Sequence, residues 1–300
     1  MSAEQLFATS TRLFQETSIR SGQKTGDVVE PPFSDGAVAR TVLKFDQKTT
    51  PFRHKLARNP LHEAFQLRAS FEVGPEFLAF LIEPHLRAGV SLDHNSPDPT
   101  FSLQVESEDG DRFAFNGLAV REIQISFVAR GVLTLNVGFV ALDRVQLSGS
   151  LEEITLELPP NFLAGRQCDV VGKSGALADR DSDRLPARTA ELFIRRDLSA
   201  AQFEADGRPS RFNRGPWRAI GEIVTPADAF TESASNSFVD GSAAFFLGEP
   251  GSEIQIQLDN SVRFLTDTDP LKADDFRDHR VIFEAEPDSS GSILTFKNNL

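Results

Sequence analysis

The chain has 300 residues, with 31 Lys+Arg against 44 Asp+Glu, a formal charge of −13 and a sequence pI of about 4.9. Such a balance repels nucleic acid and excludes a protein that grips DNA or RNA through a basic surface. One cysteine, Cys168, excludes an intrachain disulfide and a cysteine-rich zinc site, and no stretch approaches the roughly eighteen apolar residues of a membrane-spanning helix. The opening MSAEQLFATSTRLFQETS has no basic region leading into an apolar core, so no export signal is expected from it.

Residues 2–19 set Leu6, Phe7, Leu13, Phe14 and Ile19 among polar neighbours. That pattern fits a weak amphipathic helix or an extended arm ordered against a neighbouring molecule. Leu6, Phe7 and Phe14 are its candidate assembly contacts. The next stretch contains Pro31-Pro32 and reads as loop, so residues 1–39 are expected to form an arm and loop. Thr41 to Phe45 is a short strand, and the segment from Pro51 to Pro60 is irregular and basic. His54 and His62 lie near it without metal-ligand spacing. Phe65, Leu67, Ala69 and Phe71 alternate as in a strand and stop at Gly74-Pro75. A short helix should then start near Glu76 with Phe77, Leu78, Phe80 and Leu81 on an apolar side, and Pro84 should end it.

After an acidic loop from Asp93 to Asp98, strands return at Phe101 to Val105. The run DRFAFNGLAVREIQISFVARGVLTLNVGFVALDRV, residues 111–145, shows three stretches of period two, expected as an antiparallel meander turning at Ala129-Arg130-Gly131. Leu135, Val137 and Phe139 share one parity and should face a core. Arg121, Gln124, Ser126, Thr134 and Asn136 should lie on the open face. SLEEITLEL, residues 150–158, reads as a further strand. Residues 161–189 are polar and without period, and are expected to be a linker. They contain VGKSG, but the preceding Gly165 stands seven positions before Gly172, where a phosphate-cradling loop needs five.

The second half offers strands at Glu191 to Arg196, at Ala200 to Phe203 before a turn at Asp206-Gly207, at Trp217 to Val224, and at Gly251 to Leu258. The stretch from His279 to the end is expected as a hairpin bending at Ser289-Ser290-Gly291, with Glu284 and Glu286 on its open face. These elements predict a mostly β, α+β protein with one packed helix. A first β domain would occupy 40–160 and a second 190–300. The halves match faintly: TVLKFDQKTTPF with ELFIRRDLSAAQF, Phe65–Val73 with Trp217–Val224, FSLQVESEDGDRFAF with SEIQIQLDNSVRFLT, and LTLNVGFVA with RVIFEAEPD. Duplication of one unit of about 130 residues and simple likeness between β segments are both open.

Chemical motifs are missing. There is no Gly-x-Ser-x-Gly, His-Glu-x-x-His or Cys-x-x-Cys. Asp267, Asp269, Asp274 and Asp275 crowd one loop, without the glycine and closing glutamate of a helix–loop–helix calcium site. No catalytic, cofactor-binding or metal-binding residue is predicted, and an enzyme is not expected.

The chain resembles the tail tube proteins (major tail proteins) of long-tailed bacteriophages. The resemblance lies in FNGLAVREIQISFVARGVLTLNVGFVA, in ELFIRRDLSAAQFEADGRPSRFNRGPWRAIGEIV, and in the C-terminal DHRVIFEAEPDSSGSILTFKNN. It implies a β-sandwich or half-barrel with a helix on its side, and a structural role in the virion. Subunits would assemble in the host cytoplasm into stacked rings forming a hollow tail tube that conducts double-stranded DNA during ejection. Three chains would make a pseudo-sixfold ring if the unit is duplicated, and six chains if it is not. Tape measure, distal tail and tail terminator proteins would be the other partners. The residues of the open faces named above would line the lumen. From Pro226 to Leu300 there are 14 Asp/Glu and 5 Lys/Arg, which suits a wall along which DNA slides. Departures from the family are a charged 161–189 connector and no appended immunoglobulin-like domain. A tail terminator, a contractile-type inner tube and a carbohydrate-binding β-sandwich are the alternatives. The last is disfavoured by one Trp and no Tyr.

Overall fold

A computed structural model describes residues 4–31, 41–50, 62–72, 74–93, 95–107, 109–158, 163–174, 180–181, 184–185, 187–203, 209–226, 241–267, 278–285, 287 and 291–300. The chain is mostly β with one short packed helix. Its first-half elements are β1 (Glu4–Glu16), β2 (Lys24–Val29), β3 (Thr41–Thr50), β4 (His62–Glu72), α1 (Pro75–Ile82), β5 (Ser91–Asp93), β6 (Phe101–Ser107), β7 (Arg112–Val128), β8 (Thr134–Ala141) and β9 (Asp143–Gln146). The second half contains β10 (Cys168–Ser174), β11 (Arg184–Leu185), β12 (Thr189–Arg195), β13 (Leu198–Phe203), β14 (Pro209–Arg214), β15 (Arg218–Pro226), β16 (Gly241–Glu249), β17 (Ser252–Asp267), β18 (Asp278–Ala285) and β19 (Ser292–Asn298).

One run of eight antiparallel strands crosses the molecule in the order β3–β4–β8–β7–β12–β15–β18–β17. Its middle joint is the pairing of β7 residues 122–128 with β12 residues 195–189, so the two sequence halves share one sheet. The inward parity of β7, β8, β12, β15 and β18 is mostly apolar. Ile123 and Ile125 of β7, Leu135 and Val137 of β8, Leu192 and Ile194 of β12, Ala219 and Ile223 of β15, and Phe283 of β18 are all buried in one cluster. Removing this apolar surface from water is the main favourable term holding the sheet to the layer behind it. That layer contains α1, which Pro75 opens and whose Phe77, Leu78 and Leu81 are wholly covered. The expected helix is therefore present, with Pro84 in the tight turn that follows it.

Other strands flank the run. β6 lies on β7 and β1, while β1 reaches β3, so pairing returns from β7 to β3 by a second route. On the other half, β16 pairs β17 and β10, and β19 continues along β17 to reach β5.

Several expectations are corrected. Residues 4–16 are neither helix nor free arm: they form β1, paired with β2, β3 and β6 of the same chain. The first two stretches of the meander are one strand, β7, which bends at Gly117 with a φ of 61°. That left-handed backbone suits glycine, and a Cβ there would stand 3.2 Å from Leu142. The turn at 129–131 is where alternation places it, closed by Gly131 N–H donating to the Val128 carbonyl at 2.8 Å. Residues 150–158 are irregular despite their alternation. Thr155 and Leu156 N–H both donate to the single carbonyl of Val28, so no ladder propagates. The expected linker contains β10, a buried strand that takes in Val171-Gly172-Lys173-Ser174 and leaves no phosphate loop there. β18 and β19 do not pair as a hairpin: they lie in line along successive parts of β17. The turn at Asp206-Gly207, the bend at Ser289-Ser290 and the acidic residues Asp269, Asp274 and Asp275 lie outside the described residues.

Candidate assembly face

The outward parity of β7, β8, β12, β15 and β18 is mixed: polar residues stand beside half-buried Phe193, Ile220, Val224 and Ile282, with Phe193 directly opposite Ile220. β7 contributes Glu122, Gln124 and Ser126, and β8 contributes Thr134 and Asn136. β12 contributes Glu191, β15 contributes Glu222, and β18 contributes Arg280 and Glu284. Side chains join across strands on this face. Asn136 Nδ2 donates to Gln124 Oε1 at 3.4 Å, and Gln124 Nε2 donates to Glu191 Oε2 at 3.3 Å. Thr134 Oγ1 donates to the Ser126 carbonyl at 3.3 Å, and the Arg280 guanidinium meets Glu222 at 2.5 Å. Each contact is weak because water competes at a half-exposed face. Their effect is to hold the rows of polar side chains in register.

Gln124, Ser126, Thr134 and Asn136, expected on an open face, are brought onto one face with Glu284, which is exposed. Glu286 lies outside the described residues. Arg121 is the extra residue of a bulge between Val120 and Glu122. It stands at the rim, in a cleft with Asp197, Ser199, Asn213 and Arg214. Here the hairpin β13–β14 closes off the face, with Leu198 and Phe212 packed on Ala119 and Val140. The face is mixed in charge rather than acidic: on β7, β12, β15 and β18, Glu122, Glu191, Glu222 and Glu284 stand against Arg195, Arg218 and Arg280.

Of the three candidate assembly contacts, Phe14 is 0% exposed, its outward neighbours being β2 and β6 of its own chain, so it has no surface to offer a partner. Leu6 and Phe7 sit in the part of β1 that pairs with Leu43 and Val42 of β3.

Two polar anchors escaped the sequence reading. The Glu16 carboxylate is buried and accepts from the N–H groups of Arg20 at 3.0 Å, Gly22 at 3.1 Å and Gly117 at 3.1 Å, and from Thr100 Oγ1 at 2.8 Å. Burial still raises its pKa above the ordinary value, with the Gly117, Thr100, Gly22 and Arg20 hydrogen bonds opposing the shift. This carboxylate pins the end of β1 to the bend of β7. The second anchor is Arg196, which ion-pairs with Asp98, donates from Nε to the Val120 carbonyl at 3.1 Å, and lies 4.2 Å from the Trp217 ring centroid. Arg214 meets the other Asp98 oxygen at 2.5 Å. His85 packs edge-on to Trp217 with centroids 5.6 Å apart. Desolvation, then the charges of Arg196 and Arg214, push the His85 pKa down to about 3, while the Pro97 backbone opposes the shift. The sequence signal for this anchor was Arg195-Arg196-Asp197 ending an otherwise alternating strand, since two adjacent arginines cannot both point outward.

Cys168 is buried, and its thiol pKa is pushed up to about 12 by burial and by Asp169, so it is a core side chain without thiolate reactivity at neutral pH. Among the described residues no group of three or more His, Cys, Asp or Glu is placed to hold a metal ion. No family model and no curated protein matches the chain.

Proposed function

We propose that this chain is a tail tube subunit that assembles into stacked rings around a DNA-conducting channel. The observation that carries the reading is the continuous antiparallel run with an apolar face on the core and an open face that is polar along β7 and β8. A channel wall needs that arrangement: a lining wetted by the lumen, backed by a packed core. A wall of mixed charge offers DNA no basic band on which to stick.

The strand order supports a duplicated unit. The first half supplies β3–β4–β8–β7 and the second supplies β12–β15–β18–β17. Of the segments matched by sequence pattern, β3 falls with β12, β4 with β15 and β8 with β18 in the same order of places, while β6 and the start of β7 fall together on β17. Three chains then complete a pseudo-sixfold ring. Negative-stain microscopy of the purified protein tests the function. Rings or tubes with a central hole are expected, and a particle that stays monomeric or forms solid clusters at high concentration overturns the proposal. Rings that cap without stacking favour a terminator instead.

A further inference from the structure

Asn116-Gly117 is the one Asn-Gly step in the chain, and it lies outside the regular ladder. β6 pairs Phe101 with Leu118 and Leu103 with Phe115, so two residues of β7, Asn116 and Gly117, stand opposite the single residue Ser102. This is a bulge, and Gly117 holds its left-handed φ of 61° within it. In a regular strand the N–H after an asparagine is spent on a neighbouring strand. Here the Gly117 N–H donates to the Glu16 carboxylate, 3.1 Å from each oxygen. The asparagine side chain is held as well. Ser102 Oγ donates to Asn116 Oδ1 at 2.7 Å, and Ser102 is wholly buried. Asn116 itself is half-buried, with its amide nitrogen so close to Gly22 that a Cβ there would stand 3.2 Å away.

An asparagine side chain and the backbone nitrogen that follows it can close a five-membered imide. The nitrogen must give up its proton, the side-chain carbonyl must be polarised, and no Cβ on the next residue should crowd the approach. Each requirement has a group in place. Glu16 is within the roughly 2.6–3.2 Å reach of a general base on the nitrogen. The Ser102 hydroxyl points at the oxygen on which negative charge develops. Gly117 has no Cβ. Burial raises the pKa of Glu16, which strengthens it as a base, while the Gly117, Thr100, Gly22 and Arg20 hydrogen bonds oppose that shift.

We propose that Asn116-Gly117 is a self-modifying site, at which Glu16 and Ser102 promote imide closure and loss of ammonia. Glu16 takes the Gly117 amide proton as the nitrogen bonds to Asn116 Cγ. The resulting oxyanion is held by the Ser102 hydroxyl. It collapses with cleavage of the bond from Cγ to the side-chain nitrogen, which leaves as ammonia with the proton returned by Glu16. Water then opens the imide at one carbonyl or the other, giving aspartate or isoaspartate at position 116. Either product adds a carboxylate close to Glu16, and isoaspartate lengthens the β7 backbone at its bend, so the joint between β1 and β7 loosens with time.

Peptide mass spectrometry tests this on the full chain held at neutral pH, with fragmentation that separates aspartate from isoaspartate and ammonia measured as the second product. The same site in chain unfolded by guanidinium chloride is the reference, because a strand ordinarily slows this reaction below its rate in a free chain. Asn116 is expected to convert faster in the folded protein than in the unfolded one. Glu16→Gln keeps an acceptor oxygen but is no base, and Ser102→Ala removes the hydroxyl. Each should slow the folded rate by about a hundredfold, with circular dichroism as the folding control. Conversion no faster in the folded chain than in the unfolded chain overturns the proposal, and so does a parent-like rate in a folded Glu16→Gln protein. Should Glu16→Gln fail to fold, Ser102→Ala and the folded-to-unfolded ratio of the parent decide. None of these readouts depends on ring formation, so the proposed function stands or falls separately.

Discussion

Gly221 stands at the inward parity of β15, in series with Trp217, Ala219 and Ile223, where an apolar side chain would ordinarily sit. Opposite it in the ladder is Phe283 of β18, wholly buried, with its ring over the glycine. A Cβ built on Gly221 would stand 1.7 Å from that ring, so Gly221→Ala forces the ring out of a site where Phe245 packs at 5.9 Å between centroids. Overpacking costs about 1–3 kcal/mol, and the upper end is expected because the ring has no solvent to move into. Phe283→Ala alone should cost about 3–5 kcal/mol through the cavity it leaves. The two changes made together should cost less than their sum by about 0.5–3 kcal/mol, since the new methyl occupies space the ring has vacated. Urea denaturation followed by the fluorescence of Trp217, the sole tryptophan and 5% exposed, measures all three. Strictly additive costs, or a Gly221→Ala protein as stable as the parent, would refute the β15–β18 register and the outward assignment of Glu222 and Glu284.

Neighbouring positions on β8 should diverge: Leu135→Ala should cost about 2–5 kcal/mol and Asn136→Ala within about 0.5 kcal/mol, and equal melting temperatures would contradict the face assignment. Glu16→Ala should destabilise by about 1–3 kcal/mol because it strands the Gly117 and Thr100 donors, as read by chemical denaturation. His85 is held uncharged with a pKa near 3 against 6.5 when unfolded, so the unfolded chain binds the extra proton between those values. Stability should be fully present above pH 6.5 and fall as pH drops toward 3. His85→Phe should flatten that part of the profile, and an unchanged pH slope in the variant would contradict the burial. Deleting residues 1–30 should unfold the first half, since β1 bridges β3 and β6; a cooperative melt at the parent temperature would show that β1 is dispensable.

Alternation was enough to find β4, β8, β12 and β15, and in β8, β12 and β15 one parity lies on the core and the other is less buried. It placed Gln124 and Asn136 for the same reason: each stands between two buried apolar neighbours, Ile123 and Ile125 or Leu135 and Val137, so parity alone assigns them. Pattern failed where context decides. Residues 150–158 alternate as well as β8 does, yet Thr155 and Leu156 both donate to the one carbonyl of Val28 and form no ladder. β16, with eight successive buried residues from Gly241 to Gly248, shows no alternation because both of its faces are covered, and it was missed. β1 was misread since its partners lie up to about a hundred positions away along the chain, in β6. Phe14 looked like a sticky surface residue for that reason. The Glu16 and Arg196 anchors depend on groups distant in sequence, Gly117 for one and Asp98 for the other, which no local pattern can bring together.

A cryo-electron microscopy reconstruction of the assembled protein tests the central claim most directly. The account predicts a hollow ring in which Gln124, Asn136, Glu191 and Glu284 face the lumen and α1 lies outside the wall. Assemblies that place those four residues on the outer surface or in a subunit contact, with α1 toward the axis, would contradict it.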